Sequence, residues 1–143
     1  MKFEELQTDR LILRMLTQET FNTLFEKCNE KEIRHYLGLN SENEFLKEKE
    51  KYQNGLTTFN KKILYFQLID KSNEKIIGWC GYHTWYIDHR RAEIGYGLFD
   101  DSYKQKGLMT EAIVPIIKYG FEQMNLNRIE AFVGSNNNPS LKL

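Results

Sequence analysis

Leu11, Leu13 and Met15 alternate with Ile12 and Arg14, and this period of two predicts a first strand over 10–16. Thr17 then reads as an N-cap, with Glu19 and Thr20 in the first turn and Phe21, Leu24, Phe25 and Cys28 at helical spacing. A short second helix is expected over 32–37. Ser41, with Glu44 three residues on, is a capping signature for a third helix over 42–56. That helix is densely charged, with Phe45, Leu46, Lys49 and Tyr52 on its expected inner side, which suits a lid or flank better than core. Strands follow over 63–69, 76–87 and 92–99, separated by turns at 71–75 and 88–91. From Gly107 onward, Met109, Ala112, Ile113, Ile116, Ile117, Gly120, Phe121 and Met124 trace one apolar helical face. Pro115 lies inside it and predicts a kink, and 125–127 end the helix. A last strand over 128–133 runs into a polar loop at 134–138.

Antiparallel neighbours followed by one strand–helix–strand crossover imply an α/β fold with a mixed, mainly antiparallel central sheet flanked by helices. The length of 143 residues fits a single domain over 1–143. Within that order, the run Tyr103-Lys-Gln-Lys-Gly-Leu-Met-Thr-Glu-Ala112 joins a strand to a helix N-terminus. The first N–H groups of a helix lack internal partners and the macrodipole adds partial positive charge, so such a place can hold phosphate. Gly107 permits close approach and Lys104 and Lys106 add charge. The same residues could also be simple turn punctuation.

Hydrophobic residues make up 41% and charged residues 28%, as in ordinary globular chains, and the formal net charge is zero. A general nucleic-acid-binding role therefore has no electrostatic support, and the local Lys104/Lys106 cluster favours a small anion. No apolar run is long enough to span a membrane and no signal-peptide pattern is present, so no membrane association and a cytoplasmic location are expected. Cys28 and Cys80 have no metal-ligand spacing; neither a metal nor a disulfide is expected, and Cys80 reads as buried and inert. His83, mid-strand among aromatics, and His89, in a turn, read as structural rather than as bases. Trp79, Tyr82, Trp85, Tyr86 and Tyr96 make an aromatic-rich sheet, mostly core, with one or two lining a pocket.

Four segments, in order, resemble the GNAT acetyltransferase superfamily and its RimJ/RimL-like branch. They are Thr8-Asp-Arg-Leu-Ile-Leu-Arg14, Ala92-Glu-Ile-Gly-Tyr-Gly-Leu-Phe99, Lys104-Gln-Lys-Gly-Leu-Met-Thr-Glu-Ala112 and Asn137-Asn-Pro-Ser140. The resemblance implies transfer of an acetyl group from acetyl-CoA to a primary amine, on a protein N-terminus or a small molecule, by direct attack on the thioester. It implies a CoA pyrophosphate cradle over Lys104, Gln105, Lys106, Gly107, Leu108, Met109 and Thr110. Lys104 and Met109 are mild departures from the family pattern; a lysine pairs with phosphate without a fixed fork.

It also implies that Gly97, Leu98 and Phe99, on a strand splayed from its neighbour, align the pantetheine arm through backbone pairing. Gly95 and Gly97 would favour a bulge that opens the sheet there; alternatively they relieve crowding under a helix. Glu93 matches a glutamate that serves some members as general base, and burial beside the cofactor arm would raise its pKa. The alternative is a structural glutamate paired with Arg90 or Arg91. Asn137 would contact the CoA arm, and Ser140 would lie near the sulfur or merely cap the next helix.

Family members continue past this point with a helix and closing strands, so the closing C-terminal elements are expected to be missing. An exposed sheet edge is expected there, covered by a second subunit in a homodimer or by nothing. The alternative to an enzyme is a CoA-binding or interaction protein without turnover.

Overall fold

A computed structural model describes residues 2–54 and 62–131. Six strands form one sheet in the order β1 (Glu5–Gln7), β2 (Leu11–Thr17), β3 (Lys62–Asp70), β4 (Ile76–Tyr86), β5 (Arg91–Leu98), β6 (Arg128–Glu130). All neighbouring pairs are antiparallel except β5 and β6, which run parallel. That parallel pair is joined through α4 (Leu108–Glu122), the crossover expected from the element order.

Strand alternation sorts the side chains into two layers. On one face, Leu11, Leu13, Met15, Leu64, Phe66, Leu68, Cys80, Tyr82, Ala92 and Ile94 form a buried core with Leu108, Ala112 and Ile116 of α4. Met124 and Leu126, just past the helix, close that core. On the other face, Leu16 and Ile63 pack with Phe21 of α1 (Gln18–Lys27). Leu24 of α1, Ile33 of α2 (Glu30–Leu37) and Phe45 of α3 (Glu42–Gln53) form a smaller cluster beyond it.

Local chemistry explains the boundaries. Thr17 caps α1, accepting from the Thr20 N–H, while the Thr20 hydroxyl accepts from the Thr17 N–H at 3.2 Å. Helix α2 starts at Glu30 rather than at 32, because Asn29 and Glu32 complete a capping box. Ser41 caps α3 through the Glu44 N–H at 3.2 Å, but Leu46 and Lys49 are exposed and only Phe45 is buried, with Tyr52 stacked on Phe25 at 4.6 Å. The expected inner face of α3 is therefore corrected to Phe45 and Tyr52. Helix α4 runs through Pro115 to Glu122, and Phe121 stands exposed rather than on the apolar face. Strand β1 was not expected; it exists by pairing with β2. Among the described residues no helix is long and apolar enough to cross a membrane. The expected open sheet edge past the last strand falls outside the described residues.

Candidate active site

Glu93, Gly95 and Gly97 share the sheet face opposite α4, since Ala92 and Ile94 between them are buried against that helix. Across from them on β4, Trp79 pairs with Gly97 and Gly81 with Gly95. The register shifts between Tyr82 and Thr84, leaving His83 as an extra residue opposite Glu93 and Ile94. The bulge is thus in β4, not at the β5 glycines, which keep regular pairing. A Cβ at Gly95 would lie 2.9 Å from both the His83 and Trp79 rings, and one at Gly97 3.0 Å from Trp79 Nε1. The glycines make room for β4 side chains on the open face, so both earlier accounts of them are corrected: they are neither a bulge nor relief beneath α4.

Glu93 has 21% of its side chain open to solvent and meets His83, whose Nδ1 is 4.0 Å from Glu93 Oε2. The expected alternative partners are engaged elsewhere. Arg90 donates to Asn125 O at 2.9 Å and Asn125 Oδ1 at 3.2 Å, and Arg91 pairs with Glu130 at 3.6 Å. Trp79 stands over this face edge-on to Tyr65, with ring centroids 5.5 Å apart.

The edge of β5 away from β4 is paired with β6 through Arg91, Ala92 and Glu93, while β5 itself continues to Leu98. Phe99 donates its N–H to Ile77 O at 2.9 Å, towards β4. Backbone groups alternate between the two edges of a strand, so Gly97 and Gly95 also point towards β4. Of the three residues expected to pair with a pantetheine arm, only Leu98 turns its backbone to the far edge; Tyr96, two residues back, joins it. Gly97 and Phe99 are corrected on that ground.

Beyond β5, a single 3-10 turn (Asp101–Tyr103) leads into the loop. Lys104 Nζ is held by Asp101 at 2.8 Å, and Lys106 is exposed. Gln105 and Gly107 both adopt the left-handed region, with φ of 60° and 75°. Gly107 is the N-cap of α4, and no side chain caps the helix. Among the described residues, a Cβ on Gly107 would meet only Arg10 Nη2, at 3.7 Å, an ordinary contact. Leu108 buries its side chain in the core, Met109 is half-buried and Thr110 exposed; for Leu108 only the backbone can serve a ligand. Asn137 and Ser140 lie outside the described residues.

The family model described as "Acetyltransferase (GNAT) domain" matches residues 10–143. The chain belongs to the GNAT acetyltransferase family. It is 34% identical over 142 residues to the uncharacterized N-acetyltransferase p20 of Bacillus licheniformis, covering 98% of this chain and 79% of that one. Its fold is shared with a Bacillus anthracis acetyltransferase of the GNAT family, at 23% identity and a TM-score of 0.61, covering 97% of this chain and 79% of that one. RimL, described as a ribosomal L7/L12 alpha-N-protein acetyltransferase and solved in complex with coenzyme A, is similar at a TM-score of 0.63 and 16% identity, over 97% of this chain and 80% of that one.

In this GNAT chain the loop is tied down from the turn before β2, a connection the sequence motifs contain but do not display. Glu111, in the first turn of α4, receives Arg10 Nε at 2.7 Å and the Arg10 N–H at 2.9 Å, and also the Thr8 hydroxyl. Burial pulls the Glu111 carboxyl up, but the hydrogen bonds from Thr8 and Arg10 outweigh it and hold the pKa below the ordinary value. His83, Tyr96 and Arg10 are the positions that periodicity alone passed over. A signal for Arg10 exists in retrospect: Thr8-x-Arg10 precedes the first strand, and a glutamate follows the loop glycine by four residues.

Proposed function

We propose that this protein moves an acetyl group from acetyl-CoA to a primary amine, on a small molecule or a protein N-terminus, in the cytoplasm. The observation that carries the reading is the uncapped, Gly107-led N-terminus of α4 lying one short loop beyond the strand that holds Glu93. What supports a pyrophosphate there is that, among the described residues, no side chain caps the first turn, Gly107 leaves its Cβ position free, and exposed Lys106 adds charge beside it. The residues that would hold the cofactor are Gln105, Lys106, Gly107, Leu108, Met109 and Thr110 through the loop and helix start, with Lys104 adding charge, and Leu98 and Tyr96 along the strand edge.

Acetyl-CoA supplies the acetyl group as a thioester, and the amine nitrogen forms the new C–N bond as the C–S bond breaks. An ammonium has no lone pair to attack with, so a proton must leave first. Glu93 takes it, directly or through a water, and the neighbouring His83 lies where the proton can pass onward to solvent. Trp79 and Tyr65 wall the acceptor side with aromatic surface, which suits the approach of a cationic amine. In this proposal Asn137 and Ser140 keep the places that the resemblance implies, Asn137 against the CoA arm and Ser140 near the sulfur, and the departing thiolate takes its proton from solvent or from another group of the chain.

Thermal unfolding with and without acetyl-CoA tests the cofactor, and release of free thiol across a panel of amines tests turnover. Saturation at about 100 times the dissociation constant stabilises a fold by roughly 2.7 kcal/mol, an easily read shift. A shift together with thiol release on at least one amine is expected. A shift without release on any amine leaves a CoA-binding protein and refutes the transferase; the absence of a shift refutes the cofactor.

A further inference from the structure

We propose that Arg10 is a positioning residue for the phosphate loop, setting the direction of its backbone N–H groups from outside the cradle. The inference rests on the acetyl-CoA reading above and adds to it a residue far from the loop in sequence, just before β2. Arg10 Nη1 donates to Lys106 O at 3.0 Å while Nε holds Glu111 Oε1 at 2.7 Å. One planar guanidinium therefore bridges the loop and the first turn of the helix, a geometry its fixed fork of donors allows and a lysine ammonium does not.

Two consequences follow for the cradle. A trans peptide points its C=O and the next N–H in opposite directions. With the Lys106 carbonyl held by Arg10, the Gly107 N–H is directed away from Arg10, and among the described residues no side chain caps the helix. Gly107 adopts its left-handed φ freely, whereas Gln105, one residue before Lys106, holds a left-handed φ of 60° that a non-glycine residue rarely keeps, so the loop conformation needs support from outside. Second, a carboxylate in the first turn is drawn to the free N–H groups and the positive end of the dipole, where it would compete with a bound phosphate. Arg10 and Thr8 occupy Glu111 and keep that charge satisfied on the far side.

Arg10 is itself anchored. Its carbonyl accepts from the Lys71 N–H at 3.0 Å, and Thr8 Oγ1 accepts from the Leu11 N–H at 3.0 Å, locking the turn before β2. The loop is thereby referenced to the sheet and not only to its own helix.

The test compares two acetyl donors, acetyl-CoA and S-acetylpantetheine, which carries the same thioester without phosphates, in wild type, Arg10→Met and Arg10→Lys. CoA binding by calorimetry and KM and kcat for each donor are the readouts. Loss of one charge-assisted contact predicts CoA affinity and KM for acetyl-CoA weakened about tenfold or more in Arg10→Met, with kcat little changed. KM for S-acetylpantetheine should stay at the wild-type value. Arg10→Lys, which retains charge beside Glu111 and the fold, should show the same donor-selective loss. If both donors weaken equally in the variant that folds, Arg10 is only a structural residue and the proposal fails; unchanged CoA affinity in that variant also overturns it. Wild type that binds no CoA removes the acetyl-CoA reading and this inference with it, a result separable from a defect confined to the variants.

Discussion

Glu93 and His83 face each other across the bulge in β4, with Oε2 and Nδ1 4.0 Å apart on the open side of the sheet. Regular register from Trp79–Gly97 and Gly81–Gly95 would already bring His83 to Glu93 on this face; the bulge shifts the direct pairing of Glu93 to Thr84 and leaves the imidazole beside the carboxylate. If Glu93 takes the amine proton, Glu93→Gln keeps the shape and removes the base. Its kcat should fall by about 10²–10⁴, the usual span for a general base, with CoA affinity unchanged. Wild-type turnover in Glu93→Gln would assign the base elsewhere.

The space before Gly107 makes a second prediction. Gly107→Glu puts a negative side chain at the helix N-terminus and should abolish the thermal shift with CoA. Gly107→Ala separates conformation from charge: at φ 75° an alanine costs roughly 1–2 kcal/mol of stability, yet leaves the N–H groups in place. Calorimetric titration of both variants checks this, and full CoA affinity in Gly107→Glu would remove the loop from the cofactor site.

Tyr82 threads its hydroxyl under α4 and donates to Ile116 O at 2.7 Å. A Cβ at Gly120 would come within 3.0 Å of Tyr82 Cζ and closer still to the hydroxyl oxygen. Tyr82→Phe should cost about 1 kcal/mol by loss of a buried hydrogen bond. Gly120→Ala should cost about 1–3 kcal/mol from overpacking, despite the better helix propensity of alanine. The double variant relieves part of the clash and should lose less than the sum of the two, as read from denaturant midpoints.

Burial pushes the Cys80 thiol from 9.0 up to about 12. A group raised in the folded state stays protonated where the unfolded chain ionises, so the folded state binds more protons above pH 9. The stability contributed by Cys80 is complete below about pH 9 and is lost as pH rises towards 12, at up to about 1.4 kcal/mol per pH unit. Tyr82, raised by burial first and by Cys80 second, adds its own loss above pH 10. Urea titrations between pH 8 and 10 should therefore show a falling midpoint in wild type and a flatter one in Cys80→Ala. In the same native protein, Cys28, half-buried, should react with a thiol reagent well before Cys80. Equal reaction rates would contradict the burial.

Much of this architecture is written locally. The alternation of 11–16, the Thr17 and Ser41 caps, and the Gly107 start of α4 each depend on residues within one turn of one another. The Asn29–Glu32 box is equally local, yet the expected start of α2 at 32 missed it. Rotation of an amphipathic helix is a different matter: Leu46 and Phe121 are apolar and exposed, because the phase of α3 and α4 is set by which neighbours they meet. Strand β1, with Leu6 alone apolar in Glu5–Gln7, has no pattern of its own and exists only as a partner of β2.

Of the candidate site, the loop residues and Glu93 could be named from type and spacing, because a phosphate cradle and a strand facing a cofactor have short-range signatures. The sequence by itself determined the elements other than β1, their order and the GNAT family. Only the tertiary structure decided that Arg10 meets Glu111 across 101 positions, that His83 faces Glu93, and that Leu98 rather than Gly97 or Phe99 turns its backbone to the edge away from β4. The physical reason is range: caps and periodicities act within a few residues, whereas register, bulge position and side-chain partnership are settled by packing between segments that the chain keeps far apart.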